Sequence, residues 1–174
     1  MNWELLNKIA IIITILWVPS ILLLYLSLWS KLKTLLLFNR NKYISKRLRW
    51  RISFDYSNNN WKFKIWKDKQ FFELKFTKAS DASIHIYNDP PSIEWLAIAK
   101  WIYEIWNINN ATKFDMSSRT RTPREWEIVI LKNIDWNYCA IKILDIKDSS
   151  RNDENDEITF EYTINSDWYI DFRK

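Results

Sequence analysis

The residues best equipped for chemistry stand together at 115–124, in the run Asp115-Met116-Ser117-Ser118-Arg119-Thr120-Arg121-Thr122-Pro123-Arg124. Guanidinium groups interleaved with hydroxyls supply planar forks and rotating donors, the set that grips a phosphate or carboxylate at two points. Asp115, Ser117, Ser118, Arg119 and Arg121 therefore form a candidate ligand loop. The same composition also suits an ordinary solvated loop, so the chemistry has to come from what the fold places around it.

A second chemical run is the acidic stretch at 148–157, which invites a calcium reading. Counted from Asp148, oxygen-bearing side chains fall at the third, fifth, seventh and ninth positions (Ser150, Asn152, Glu154, Asp156). An EF-hand loop needs glycine at the sixth position and a bidentate glutamate at the twelfth, and here those are Asp153 and Thr159. We therefore expect no metal and no cofactor. His85, the only histidine, alternates with Ile84 and Ile86, so on a strand it faces away from the core, and no nearby sequence supplies it with a nucleophile. Cys139, the only cysteine, sits in an apolar run and reads as a small core residue; alone, it can form no intrachain disulfide. There is no phosphate-binding glycine loop, dinucleotide fingerprint, zinc spacing or nucleophile elbow, and writing glycine for each tryptophan creates none. Asn110-Ala111-Thr112 matches the glycosylation sequon, a motif short enough to arise by chance.

The elements that must position these groups read as strands. Apolar residues alternate with polar ones over 61–65, 71–77 and 83–87, with polar turns between them and Pro90-Pro91 closing the third. The segments 127–132 and 138–146 form the clearest hairpin, and 157–164 and 169–172 follow as further strands, with a short one at 113–116. Over 93–108 the apolar spacing fits a helix face, but with glycine at Trp95, Trp101 and Trp106 two short strands, 96–99 and 102–105, are preferred. Seven or more short strands without a persuasive helix predict an all-β domain over 53–174, an antiparallel β-sandwich of jelly-roll type with a barrel as the alternative.

That glycine reading comes from composition. The chain has twelve tryptophans and no glycine, where an average chain of this length holds about 12 glycines. Several tryptophans fall where turns want glycine: Asn60-Trp61, Asp135-Trp136-Asn137 and Asp167-Trp168. Asn-Gly and Asp-Gly are the usual type I′ dipeptides because both central residues take φ > 0, which a bulky indole resists. Reading UGA as tryptophan in a gene whose host reads it as glycine gives this pattern. The abundance of Ile, Asn and Lys fits an A+T-rich gene. On this view Trp61, Trp136 and Trp168 sit in exposed turns with unpacked indoles. A truly tryptophan-rich membrane protein would instead explain Trp3 and Trp29, which flank an apolar run.

That run, residues 9–28, contains no charged residue over twenty positions, and as a helix it spans roughly 30 Å, the thickness of a bilayer core. Pro19 marks a kink point within it. A polar head (1–8) precedes it, without the basic start or small-residue cleavage site of a signal peptide. A basic juxtamembrane segment (29–52) follows: Lys31, Lys33, Arg40, Lys42, Lys46, Arg47, Arg49 and Arg51, with no acid among them. Residues 1–52 carry nine bases against Glu4 alone, a balance of +8, whereas 53–174 carry 17 bases and 20 acids, a balance of −3. Basic residues close to a span mark its cytoplasmic side. With Leu35-Leu36-Leu37-Phe38 they predict a short interfacial helix on anionic lipid head groups. The acidic domain gives no footprint for nucleic acid.

Together these features predict a single-pass protein of the bacterial inner membrane whose cytoplasmic β-sandwich is a binding or interaction module for an unknown protein or small ligand. The alternative is a membrane-tethered enzyme acting on a phosphorylated or sugar substrate through the Ser/Arg loop and nearby acids.

Overall fold

Period-two alternation is what the chain folds by. The computed structural model describes residues 3–4, 25–29 and 43–173. Residues 3–4 and 25–29 are helical, and among the described residues no helix is long and apolar enough to cross a membrane. The apolar run at 9–28 lies largely outside the described residues, as do Lys31, Lys33, Arg40, Lys42 and the apolar part of the expected interfacial helix.

From Tyr43 the chain forms one compact unit, and it is all-β. Its strands are β1 (Ile44–Ser45), β2 (Arg49–Asp55), β3 (Lys62–Lys67), β4 (Gln70–Ser80), β5 (Ser83–Tyr87), β6 (Ile93–Ile98), β7 (Thr120–Arg121), β8 (Ile128–Asn133), β9 (Tyr138–Lys147) and β10 (Glu157–Asn165). They make two five-stranded sheets in the orders β1-β3-β4-β5-β7 and β2-β10-β9-β8-β6. Only β1 and β3 run parallel, with Ile44 opposite Lys64. Consecutive antiparallel pairing makes β3-β4-β5 one meander and β8-β9-β10 another, with the acidic stretch at 148–156 joining β9 to β10.

The inner faces of both sheets feed one core. Phe63 and Ile65 of β3, Phe72, Leu74 and Phe76 of β4, and Ile84 and Ile86 of β5 meet Phe54, Leu96, Leu131, Ile141, Ile158 and Phe160 of the other sheet. Phe160 lies within ring-contact distance of Phe54, Phe63, Phe76 and Tyr162, at 5.7–6.2 Å. Burying each such ring stabilises the fold by roughly 1.5–3 kcal/mol relative to leaving it exposed. The buried side chains alternate along β3, β4 and β5 as the sequence does.

The second sheet is covered on its outer face as well. Ile128, Ile130, Tyr138 and Ala140 point there, beneath Ala99, Ile105, Ile108, Ala111 and Phe172. This explains why β8 is buried along its whole length and why its first four residues, Ile128 to Leu131, are all apolar. The cover is pinned by main-chain bonds: Ala99 donates to Ile128 O at 2.8 Å, Ala111 to Ile170 O at 2.8 Å, and Phe172 to Ile108 O at 2.9 Å.

Four expectations are corrected. Strand order begins before residue 53, because Trp50, Ile52 and Phe54 already alternate in β2 opposite Tyr162, Phe160 and Ile158; the basic residues at 49 and 51 belong to a strand, not to a helix. Residues 102–105 are not a strand; the chain turns at Ala99–Ile102 and forms a short 3-10 turn at Ile105–Asn107. Residues 113–116 and 169–172 also lie outside the strands. In each of these three cases the apolar residues pack on the sheet's outer face without joining a ladder. Cys139 is fully buried in the shared core, where burial pushes its thiol up.

Candidate functional site

The candidate ligand loop crosses the open edge of the first sheet, where β7 pairs with β5 and sets Arg121 opposite Ile86. Beside it lies a cleft of about 470 Å³ lined by Ile98, Lys100, Lys113, Phe114, Asp115, Thr120, Arg121 and Thr122. Three separate pieces of chain build it: the end of β6 with the turn after it, the strand β7, and the 3-10 turn Ala111–Lys113 with the two residues that follow. Asn110 fixes the third piece, its Oδ1 accepting from Thr112 N at 2.8 Å and Thr112 Oγ1 at 2.7 Å. The residues matching the sequon thus serve as a local cap.

Within the loop most donors have partners already. Arg119 grips Asp89 with Nε at 2.5 Å and Nη2 at 2.9 Å, and Lys75 reaches the same carboxylate at 2.9 Å. These bonds, Arg119 first, hold the Asp89 carboxyl down at about 2. Arg121, with its side chain mostly buried, donates from Nη2 to Asp115 O at 2.6 Å and pairs with Asp115 Oδ2 at 3.0 Å. Hydrogen bonds from Ser117, and then Arg121, hold Asp115 below the usual carboxylate range. Ser118 donates to Thr120 O at 2.7 Å. Of the five loop residues expected to bind, Asp115 and Arg121 line the cleft, whereas Ser117, Ser118 and Arg119 brace the loop.

Lys100 and Lys113 were not among the expected site residues. Neither has an ion-pair partner among the described residues, and both are exposed at the cleft. Lys113 directly precedes Phe114-Asp115, so extending the loop by two positions would have reached it. Nothing in the sequence marks Lys100. His85 is half-buried and not fully solvent-facing: its Nδ1 lies 2.8 Å from Thr122 Oγ1, the hydroxyl at the cleft wall.

A larger cleft, about 550 Å³, lies against β2 and β10 of the second sheet, with Arg49, Arg51, Trp106, Glu161 and Arg173 among its walls. Its cations are more fully engaged, since Arg51 pairs with Glu161 at 3.4 Å and Arg173 with Asp171 at 2.5 Å. Arg47 stacks its guanidinium 3.4 Å from the Trp50 ring centre, and Lys46 is exposed in the turn before β2.

The acidic stretch is closed by a cation from the first sheet. Lys78 Nζ lies 2.7 Å from both Asp148 Oδ1 and Asp156 Oδ1. Among the described residues no group of three His, Cys, Asp or Glu side chains is placed to hold a metal ion. No family model, curated protein or solved structure matches the chain, so the site is read from its own residues.

Proposed function

We propose that the chain is a membrane-anchored binding module whose smaller cleft takes an anionic group, a phosphate or a carboxylate. The observation that carries this reading is the convergence of Lys100 and Lys113, unpaired among the described residues, with Arg121 around one cavity. Phe114 and Ile98 offer it an apolar wall for the body of a small ligand. The two sheets with a common core support a sandwich as the scaffold; its paired meanders favour a simpler connectivity than the interleaved strands of a jelly roll. The uncharged run at 9–28 supports anchoring, and its basic flank at 31–51 supports a cytoplasmic domain lying against anionic lipid. We place the anchor in the inner membrane of a bacterium. Alkaline phosphatase fused to the C-terminus tests the orientation: it is inactive if the domain is cytoplasmic, and activity overturns that placement.

Calorimetric titration of the full chain in detergent with inorganic phosphate and a hexose phosphate tests the cleft. Saturable binding is expected, weakened about tenfold or more by Lys100→Ala with Lys113→Ala, since charge-assisted hydrogen bonds are the strong ones. Absence of binding, or binding indifferent to those substitutions, overturns it. The His85–Thr122 hydrogen bond favours one second reading, an enzyme acting on a phosphorylated or sugar substrate. Turnover of the hexose phosphate in the same cell, abolished by His85→Ala, would select it.

A further inference from the structure

Ten described residues have backbone φ clearly above zero. Five are Asn59, Asn60, Asp68, Asn152 and Asp167, the residue types whose short polar side chains tolerate the left-handed region. The other five are all tryptophan: Trp61, Trp101, Trp126, Trp136 and Trp168, at 63–69°. No Lys, Ser, Thr, Ile or Glu among the described residues joins them, although each of these types is common in the chain.

Four of these tryptophans occupy the position of a named turn that calls for glycine. Ile102 N donates to Ala99 O at 3.2 Å with Trp101 third in the turn, and Glu127 N donates to Arg124 O at 3.1 Å with Trp126 third. Positive φ at the third residue alone is the type II pattern, which requires glycine or asparagine there. Tyr169 N donates to Ser166 O at 3.3 Å across Asp167 (57°) and Trp168 (63°), the type I′ pattern whose usual pair is Asp-Gly. In the β8–β9 hairpin, Trp136 N donates to Asn133 O at 3.1 Å, and Asn133 N to Asn137 O at 3.0 Å. That is a three-residue loop with Trp136 in its left-handed slot, where glycine is again the usual residue.

The indoles gain little where they are. Trp101, Trp168, Trp136 and Trp126 are 87%, 70%, 59% and 57% exposed. Lysines lie over two of the rings, Lys132 at 3.5 Å from Trp136 and Lys142 at 5.7 Å from Trp126. Each already has a carboxylate partner, Glu94 at 2.6 Å and Glu104 at 2.9 Å. Trp126 and Trp136 flank opposite ends of β8, about 20 Å apart at the rise of a strand, so neither indole packs on the other. Trp61 shares the backbone but packs its half-buried ring 5.7 Å from Tyr56, against the expectation of an unpacked indole.

We infer that the native chain carries glycine at Trp101, Trp126, Trp136 and Trp168, the codon written as tryptophan being read as glycine in its own cell. The lining of the smaller cleft includes no tryptophan, so this inference and the binding proposal stand or fall separately. Peptide mass spectrometry of the chain isolated from its own cells, over residues 133–142 and 152–173, tests it directly. Glycine at 136 and 168 is expected, and tryptophan at either overturns the inference. A second measurement needs no native source. In the full chain, Trp101→Gly, Trp126→Gly, Trp136→Gly and Trp168→Gly should each raise the folding equilibrium constant roughly three- to tenfold, as left-handed strain is relieved against added chain entropy. Unchanged or lower stability in all four overturns it.

Discussion

Lys78 ties the acidic stretch to the first sheet through two carboxylates, Asp148 and Asp156. Asp148 is 1% exposed on its side chain, and burial alone would raise its carboxyl. Hydrogen bonds from Lys78 and Ser150 outweigh that and hold it at about 2, while the same carboxylates push the Lys78 ammonium up. An unfolded aspartate titrates near 3.9, roughly two pH units higher. The folded value is the lower one, so the contribution of Asp148 is complete above about pH 4 and disappears as pH falls toward 2. We expect Lys78→Ala to let the Asp148 carboxyl rise and to shift acid unfolding, followed by circular dichroism, to higher pH. An unmoved acid transition would show that the clasp contributes nothing. Asp89, held at about 2 by Arg119 and Lys75, leaves its own acid sensitivity in the variant as an internal reference. The clasp also bears on legibility: the failed EF-hand register is readable in the sequence, but the neutralising cation comes from 70 residues away. Type and spacing also singled out Asp115 and Arg121, which line the smaller cleft. The commitment of Arg119 to Asp89 and the approach of Lys100 were not legible, since both depend on which strands become neighbours.

At the level of elements, alternation located β3, β4 and β5, and two apolar runs about a polar turn located the β8–β9 hairpin with β10 after it, because in those segments one face or both must leave water. What it passed over has definite physical causes. β1 and β7 have two residues each, too few for any period. β2 does alternate, but its outward residues include Arg49 and Arg51, and a charge count assigned them to the membrane flank. In the fold Arg51 reaches Glu161 of the neighbouring strand at 3.4 Å, a cross-strand pair that no local window contains. The segments at 102–105, 113–116 and 169–172 have strand-like apolar content, yet their partner is a sheet face and not a sheet edge. Periodicity reports that a side chain is buried, not whether its backbone joins a ladder. The turns were more legible than the covering layer: Trp136 and Trp168 stand in exposed, left-handed turns, as expected of Asp-Trp in a hairpin, whereas Trp61 shares the left-handed backbone but is half-buried with its ring packed on Tyr56, contrary to expectation.

For the compact unit beginning at Tyr43, the arrangement is three layers with two separate cores. The inner core joins both sheets and is rich in aromatic rings around Phe160; the outer one seats Phe172 and Ile105 on the second sheet alone. If the cover is a local layer over a sheet pair that is already complete, the two cores should fail differently. Phe160→Ala removes a fully buried ring from the shared core and should cost about 3–5 kcal/mol, lowering amide protection across β3–β5 and β8–β10 together. Phe172→Ala loses a ring of the same size from the outer core, where the adjoining chain is held by few main-chain bonds. Its loss of amide protection should be concentrated in residues 99–114 and 166–173, with β3–β5 still protected, as expected for a unit that opens below the global free energy. Hydrogen exchange read by mass spectrometry distinguishes the two patterns. Equal deprotection of β3–β5 by both substitutions would mean that the covering layer is part of a single cooperative core. The cleft wall formed by Lys100, Lys113 and Phe114 would then be as rigid as the sheets. If the patterns differ, that wall belongs to the layer that opens first, and the proposed anionic ligand can enter without disturbing the sheets beneath it.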